Sequence, residues 1–208
     1  LMKFLQKAKK SLGQNFLIDN NIINKIIEIG NINNNKTVME IGSGYGNLTE
    51  AISCKEPKKI FAVEKDKKLA LFLKKKFKNY KNLKIINRDI LNIIEEKELE
   101  QNMIVFGNLP YNISTKILAS LVMLKNWPPW YEVLIFMFQK EVADRIIAKT
   151  KTKEFSRLSV LSNWRLEIKK HFNVSKNCFF PKPKVDSTVL SFIPKKNNLY
   201  KIKNPKNL

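Results

Sequence analysis

The sequence holds a single histidine, His171, and only two cysteines, Cys54 and Cys178, among 208 residues. One histidine cannot supply a multi-histidine metal site or an H-E-x-x-H protease helix. The cysteines stand far apart, with no C-x-x-C and no histidine-rich neighbourhood. That argues against a disulfide scaffold, a structural zinc and a thiol-redox motif, and it suits a reducing compartment. Long apolar runs are missing too. The longest, Ile117 to Leu124 and Val133 to Phe138, fall far below the roughly 18 residues that span a bilayer. The lysines near the start lead into no apolar segment of the kind a secretory signal requires. Acidic residues are scarce: Asp and Glu number 18 against 39 Lys and Arg, a net charge of +21 and a pI near 9.9. A field of this sign attracts polyanions, nucleic acid being the commonest and an acidic membrane surface the weaker alternative. Lys/Asn-rich stretches such as Asn31 to Lys36 also fit a coding bias on a solvated surface.

What is present reads as an alternation of strands and helices. Length and a 44% hydrophobic content allow one good core. After a basic arm that includes Lys9 and Lys10, Leu12-Gly13-Gln14-Asn15-Phe16-Leu17 mixes a glycine turn, polar amides and apolar anchors. Asp19 then caps a helix of isoleucines that ends at Gly30. Thr37 to Ile41 reads as the first strand, and Gly42-Ser43-Gly44-Tyr45-Gly46 as a tight loop opening the next helix. Its glycines let the backbone approach a ligand. A dinucleotide fingerprint needs glycine where Asn47 stands. Glu40 would also repel a pyrophosphate, whereas it can accept from an ammonium group, so a zwitterionic ligand with a ribose fits better than NAD. Lys59 to Val63 is the second strand, with Glu64 at its tip placed to accept both ribose hydroxyls; the plainer reading is a solvated strand-end acid. Lys84 to Asn87 is the third, followed by Asp89, which suits an adenine amine or a helix cap equally.

Met103 to Phe106 is a short buried strand that runs into Gly107-Asn108-Leu109-Pro110-Tyr111-Asn112. Within four residues this loop offers an amide, carbonyls held by a proline and an aromatic ring, a set that can hold a flat nitrogenous ring by its exocyclic amine. Ser114-Thr115 is expected to cap the following helix. A fifth strand covers Glu132 to Phe138, a helix beginning at Gln139 carries Arg145, and a further helix follows Phe155. Glu167 to Val174 and Thr188 to Ile193 have the pattern of two final strands. Between them Phe179-Phe180-Pro181-Lys182-Pro183-Lys184 pairs stacking rings with phosphate-binding charges, one Phe being expected to plug the core.

Leu12-Gly13-Gln14-Asn15-Phe16-Leu17, Glu40-Ile41-Gly42-Ser43-Gly44, Asn108-Leu109-Pro110-Tyr111-Asn112-Ile113-Ser114, Gln139-Lys140-Glu141-Val142 and Pro181 to Ser187 together closely resemble the small-subunit rRNA adenine N6,N6-dimethyltransferases of the KsgA type. The resemblance runs from about Lys9 to Pro194. Leu12-Gly13-Gln14, Leu109, Gln139 to Val142 and Asp186 look more like this branch than like the sister family that methylates large-subunit rRNA. It implies a Rossmann-like α/β methyltransferase fold with a mostly parallel seven-stranded sheet and helices on both faces. It implies S-adenosylmethionine as cofactor, with Asn15, Leu17, Gly42, Glu64, Asp89 and Asn108 at matching cofactor positions beside Glu40 and Gly44 of the loop.

It also implies dimethylation of two adjacent adenosines near the 3′ end of small-subunit rRNA, on immature subunits, by a monomer in the bacterial cytoplasm or an organelle. Asn108 and Leu109 are then expected to hold the target amine, Tyr111 and Phe179 to stack on its two faces, and Lys9, Lys10, Arg145, Lys182 and Lys184 to meet RNA. The expected organisation is an arm over 1–18 that contributes to the cofactor site, a catalytic domain over 19–194 and a basic tail over 195–208. The family's helical C-terminal domain is expected to be absent. Ser43 and Ser156 depart from the proline and glycine common in the family. The rival expectations are a non-catalytic rRNA-binding assembly factor on the same fold and a large-subunit rRNA adenine methyltransferase.

Overall fold

A computed structural model describes residues 14–96 and 99–196. Lys9 and Lys10, with the rest of the arm before Gln14, lie outside the described residues. Among the described residues, nine strands and six α-helices follow one another: β1 (Phe16–Leu17), α1 (Asn20–Ile29), β2 (Thr37–Ile41), α2 (Asn47–Ser53), β3 (Lys59–Val63), α3 (Lys67–Lys76), β4 (Leu83–Ile86), β5 (Met103–Gly107), α4 (Ser114–Val122), β6 (Tyr131–Gln139), α5 (Lys140–Ile147), α6 (Arg157–Arg165), β7 (Leu166–Val174), β8 (Phe179–Phe180) and β9 (Ser187–Pro194).

Seven strands form one sheet in the order β4-β3-β2-β5-β6-β9-β7. The first five are parallel, and β9 and β7 close the sheet antiparallel. Parallel strands are buried on both faces and are therefore apolar throughout, as Met103 to Phe106 is. Side-chain parity splits them between two cores. Met39, Val105, Leu134 and Phe136 face α4 and α5 through Ile117, Leu121 and Ile146. Val38, Ile104, Phe106 and Ile135 face α1 and α2 through Ile23, Ile27 and Ile52. Helix α1 begins where the Asp19 carboxylate accepts the Ile22 N–H at 3.0 Å, a cap worth about 1 kcal/mol.

Strand order reverses at β2, which lies between β3 and β5. The carboxyl ends of strands on either side of such a reversal open a crevice. One expected cap is corrected: Ile113, not Ser114, precedes α4, without a side-chain cap. The Ser114 hydroxyl turns back to the Tyr111 carbonyl at 3.2 Å instead.

Two residues of β1 pair with β8 in a small antiparallel ribbon, Phe16 opposite Phe180 and Leu17 opposite Phe179. This pairing lashes the segment before α1 to the loop before β9. No local pattern announces it, because each strand is only two residues long.

Candidate active site

The crevice at the end of β2 and β5 is a cleft of about 240 Å³, lined by Asn15, Phe16, Gly42, Gly44, Glu64, Asp89, Asn108, Leu109, Pro110 and Tyr111 among others. The loops after β2, β3, β4 and β5 build it with the segment around β1. The loop after β2 carries Gly42, Gly44 and Gly46 at φ of 77°, 56° and 78°, a left-handed course that favours glycine. At Gly44 a Cβ would come within 2.9 Å of the Phe16 ring, so this backbone and the β1 strand close on each other with no room for a side chain.

Glu64, at the end of β3, is buried at 7% exposure and braces the same loop. Its carboxylate accepts the Gly44 N–H at 2.9 Å and the Asp66 N–H at 2.8 Å. Burial pushes its pKa up, against the pull of those two N–H groups. Asp89 caps a short 3-10 turn by accepting the Leu91 N–H and pairs with Lys65 Nζ at 2.8 Å. Partial burial works to raise its pKa, but Lys65 and the Leu91 N–H hold it below the usual range. The cap reading of Asp89 therefore holds, and the residue also lines the cleft.

The loop after β5 is tied to distant parts of the chain by its side chains. Asn108 Nδ2 donates to the Asn15 carbonyl at 2.9 Å. A carbonyl can only accept, so this bond assigns the amide orientation and leaves Oδ1 as the side chain's acceptor. Tyr111 is half-buried and its hydroxyl shares a 2.7 Å hydrogen bond with Ser187. Burial raises the Tyr111 pKa, opposed by that bond.

Glu40 and Leu17 do not line the main cleft. They border a smaller depression beside it, shared with Gly42, Gly44 and Asn108. Glu40 is 2% exposed, accepts a short hydrogen bond from the Thr49 hydroxyl, and has its pKa pushed up to about 7 by burial. Beside it the buried Ser43 Oγ is near enough to help hold the Glu40 pKa down but falls outside ideal hydrogen-bond geometry. The Leu17 side chain is buried, and its carbonyl accepts from Asn47 Nδ2 at 2.8 Å. Asn47, which excluded a dinucleotide fingerprint, thus holds the arm against the glycine loop.

Phe179 corrects an expectation. It is 3% exposed and packs with Leu17 in the core against α1 and α2, so it does not face the cleft. Neighbours on a strand point to opposite sides, and Phe180 is the exposed member of the pair at 40%.

Set against known proteins, the ribosomal RNA adenine dimethylase family matches residues 5–208. The chain belongs to the ribosomal RNA adenine dimethylase family. Within it, the chain is 52% identical over 202 residues to ribosomal RNA small subunit methyltransferase A of Pelagibacter ubique, covering 97% of this chain and 76% of that protein. The crystal structure of a dimethyladenosine transferase from Plasmodium falciparum superposes with a TM-score of 0.75 at 31% identity, over 86% of this chain and 63% of that one. That of the 23S rRNA methyltransferase ErmE gives 0.75 at 25% identity, over 92% and 75%.

In this member of the dimethylase family Arg145, Lys182 and Lys184 are exposed. Ser187 and Lys65 shape the site without having been singled out as site residues by sequence pattern. Ser187 carried a signal, as the last residue of the Pro181 to Ser187 motif. Among the described residues, no helix is long and apolar enough to cross a membrane.

Proposed function

We propose that this chain dimethylates N6 of adenosine in small-subunit rRNA with S-adenosylmethionine as cofactor, on two adjacent adenosines near the 3′ end of immature subunits. The observation that carries the reading is the locked amide of Asn108. An adenine amine is a poor nucleophile because its lone pair is delocalised into the ring. The Asn108 side chain has its nitrogen committed to Asn15, so Oδ1 is left to accept one amine hydrogen. The Leu109 carbonyl, in the same turn, accepts the other. Two acceptors in that arrangement localise the lone pair and aim it; holding reactants in line supplies much of the acceleration. Tyr111, oriented by Ser187, offers its ring to a base taken out of its stack.

The residues around the cleft fit the cofactor. Glu64 keeps lone pairs beyond the two N–H bonds it accepts, enough for ribose hydroxyls. Asp89 suits an amine on the adenine ring. The depression lined by Glu40 and the Ser43 hydroxyl suits an ammonium group. When bound, S-adenosylmethionine supplies a sulfonium methyl open to displacement by a neutral nitrogen. No strong base is needed from the protein, since the amine proton departs to water after transfer. The positive charge of the chain, +21, accounts for rRNA attraction, and we assign the protein to the bacterial cytoplasm as a monomer.

The test is incubation of the chain with labelled cofactor and unmethylated ribosomal subunits, followed by mapping of methylated adenosines. Label on adjacent adenosines of the small-subunit rRNA supports the reading. Label only on large-subunit rRNA, or RNA binding with no label, overturns it.

A further inference from the structure

The ribbon formed by β1 and β8 has two faces, and only one of them is used by the core. Residues directly opposite in an antiparallel pair project to the same side. Leu17 and Phe179 share the inward face, where both are buried. Phe16 and Phe180 share the other. Phe16 lies at the cleft wall, buried at 8% and edge-on to Tyr45 with ring centroids 4.6 Å apart. Phe180, directly across the ribbon from it, is left 40% exposed. A phenyl ring has no polar atom to gain from solvent, and this one is not needed to fill the core that Phe179 already fills.

The charge around it names the occupant. Lys182 and Lys184 follow within four residues and are both exposed, while the one acid of that loop, Asp186, is engaged by the Lys176 N–H at 2.9 Å. A flat apolar ring beside cations whose positions alternate with prolines is the pattern that holds single-stranded nucleic acid, one base per ring and phosphates on the lysines. We propose that Phe180 is a stacking platform for a nucleotide flanking the target adenosine, with Lys182 and Lys184 holding the adjoining phosphates. The inference rests on the reading of RNA as substrate and adds a second base-binding position, one residue across the ribbon from the cleft wall.

The probe is a short single-stranded oligoribonucleotide carrying 2-aminopurine next to an adenosine, titrated with the full chain at several salt concentrations. Stacking on Phe180 quenches the 2-aminopurine. Phe180→Leu keeps apolar bulk but removes the flat face. It is expected to weaken binding about fivefold to a hundredfold, the range for losing one stacked base, and to abolish the quench. Phe180→Trp is expected to restore both. Lys182→Ala with Lys184→Ala is expected to flatten the log–log salt dependence by about 0.7 per lysine while the quench survives at low salt.

If Phe180→Leu binds and quenches like the parent, the inference is overturned; a ring serving only a protein contact gives that result. Methyl transfer by the parent is measured alongside. A parent that shows the Phe180-dependent quench but transfers no methyl keeps the stacking position and removes the methyltransferase reading. A parent that transfers methyl while Phe180→Leu keeps the full quench does the reverse.

Discussion

Asn108 Nδ2 donates to the backbone carbonyl of Asn15 at 2.9 Å, across 93 positions of sequence. This one bond joins the segment before α1 to the loop after β5 and decides which end of the Asn108 amide is left to accept. Orientation of the amide is therefore a property of the tertiary structure, because the atom that selects it belongs to another part of the chain.

Asn108→Asp separates orientation from polarity. The variant keeps an acceptor at Oδ1 but places a second oxygen against the Asn15 carbonyl, where only repulsion is available. Methyl transfer is expected to fall by a factor on the order of a hundred to a thousand, the range for losing one aimed polar group. Asn108→Ala should fall as far. Single-turnover transfer from labelled cofactor checks both, and an Asp variant close to the parent in rate would show that the Asn15 bond does not matter to the chemistry.

Tyr111 and Ser187 are coupled through their 2.7 Å hydrogen bond. Ser187 is fully buried, so Tyr111→Phe leaves its hydroxyl unpaired at a cost of about 1 to 3 kcal/mol. Ser187→Ala in that background should recover part of the loss. Urea denaturation of the two single variants and the double variant measures this coupling; simple additivity would contradict it. Methyl transfer should fall less in Tyr111→Phe than in Tyr111→Ala, which also removes the ring.

Glu40 sets a pH dependence of the ligand-free protein. Its pKa is raised from 4.5 to about 7, chiefly by burial, with Thr49, Ser43 and Lys76 opposing and Glu64 adding to the rise. A folded-state pKa above the unfolded one means that the folded chain holds this proton more tightly. The stability it contributes is complete below pH about 4.5 and is lost as pH rises to about 7. Glu64, shifted the same way, adds to the trend. Thermal unfolding across that window should show stability declining, and Glu40→Gln should flatten part of the slope. A variant with the parent's slope would remove Glu40 as the cause.

Gly44→Ala tests the closeness of the arm to the glycine loop. The added Cβ would meet the Phe16 ring at 2.9 Å at a φ of 56°, so both backbone strain and a clash follow. Cofactor affinity measured by calorimetry should drop at least tenfold, a loss of about 1.4 kcal/mol. Parent-like binding would show that the loop and β1 can separate without cost.

Much of this molecule is legible in local pattern. The runs Thr37 to Ile41 and Lys59 to Val63 coincide with β2 and β3, because buried parallel strands are continuous apolar stretches bounded by turn residues. The α1 cap at Asp19 and the placing of Glu64, Asp89 and Asn108 at strand ends follow from the same periodicity, since a ligand crevice lies at the carboxyl ends of parallel strands. What local pattern does not carry is parity in short elements and the choice of distant partners. With two residues in β8, either phenylalanine suits the core, and the pairing with Leu17 is what turns Phe179 inward and leaves Phe180 exposed. Likewise Ser114 is a good cap by type but bonds the Tyr111 carbonyl instead. Composition and periodicity by themselves determined the α/β class, the polyanion-attracting charge and the position of the cleft. Only the tertiary structure decided which atom of Asn108 is free to accept, which ring faces outward and which hydroxyl holds Tyr111, because each choice depends on a partner brought near by the fold and not by the chain.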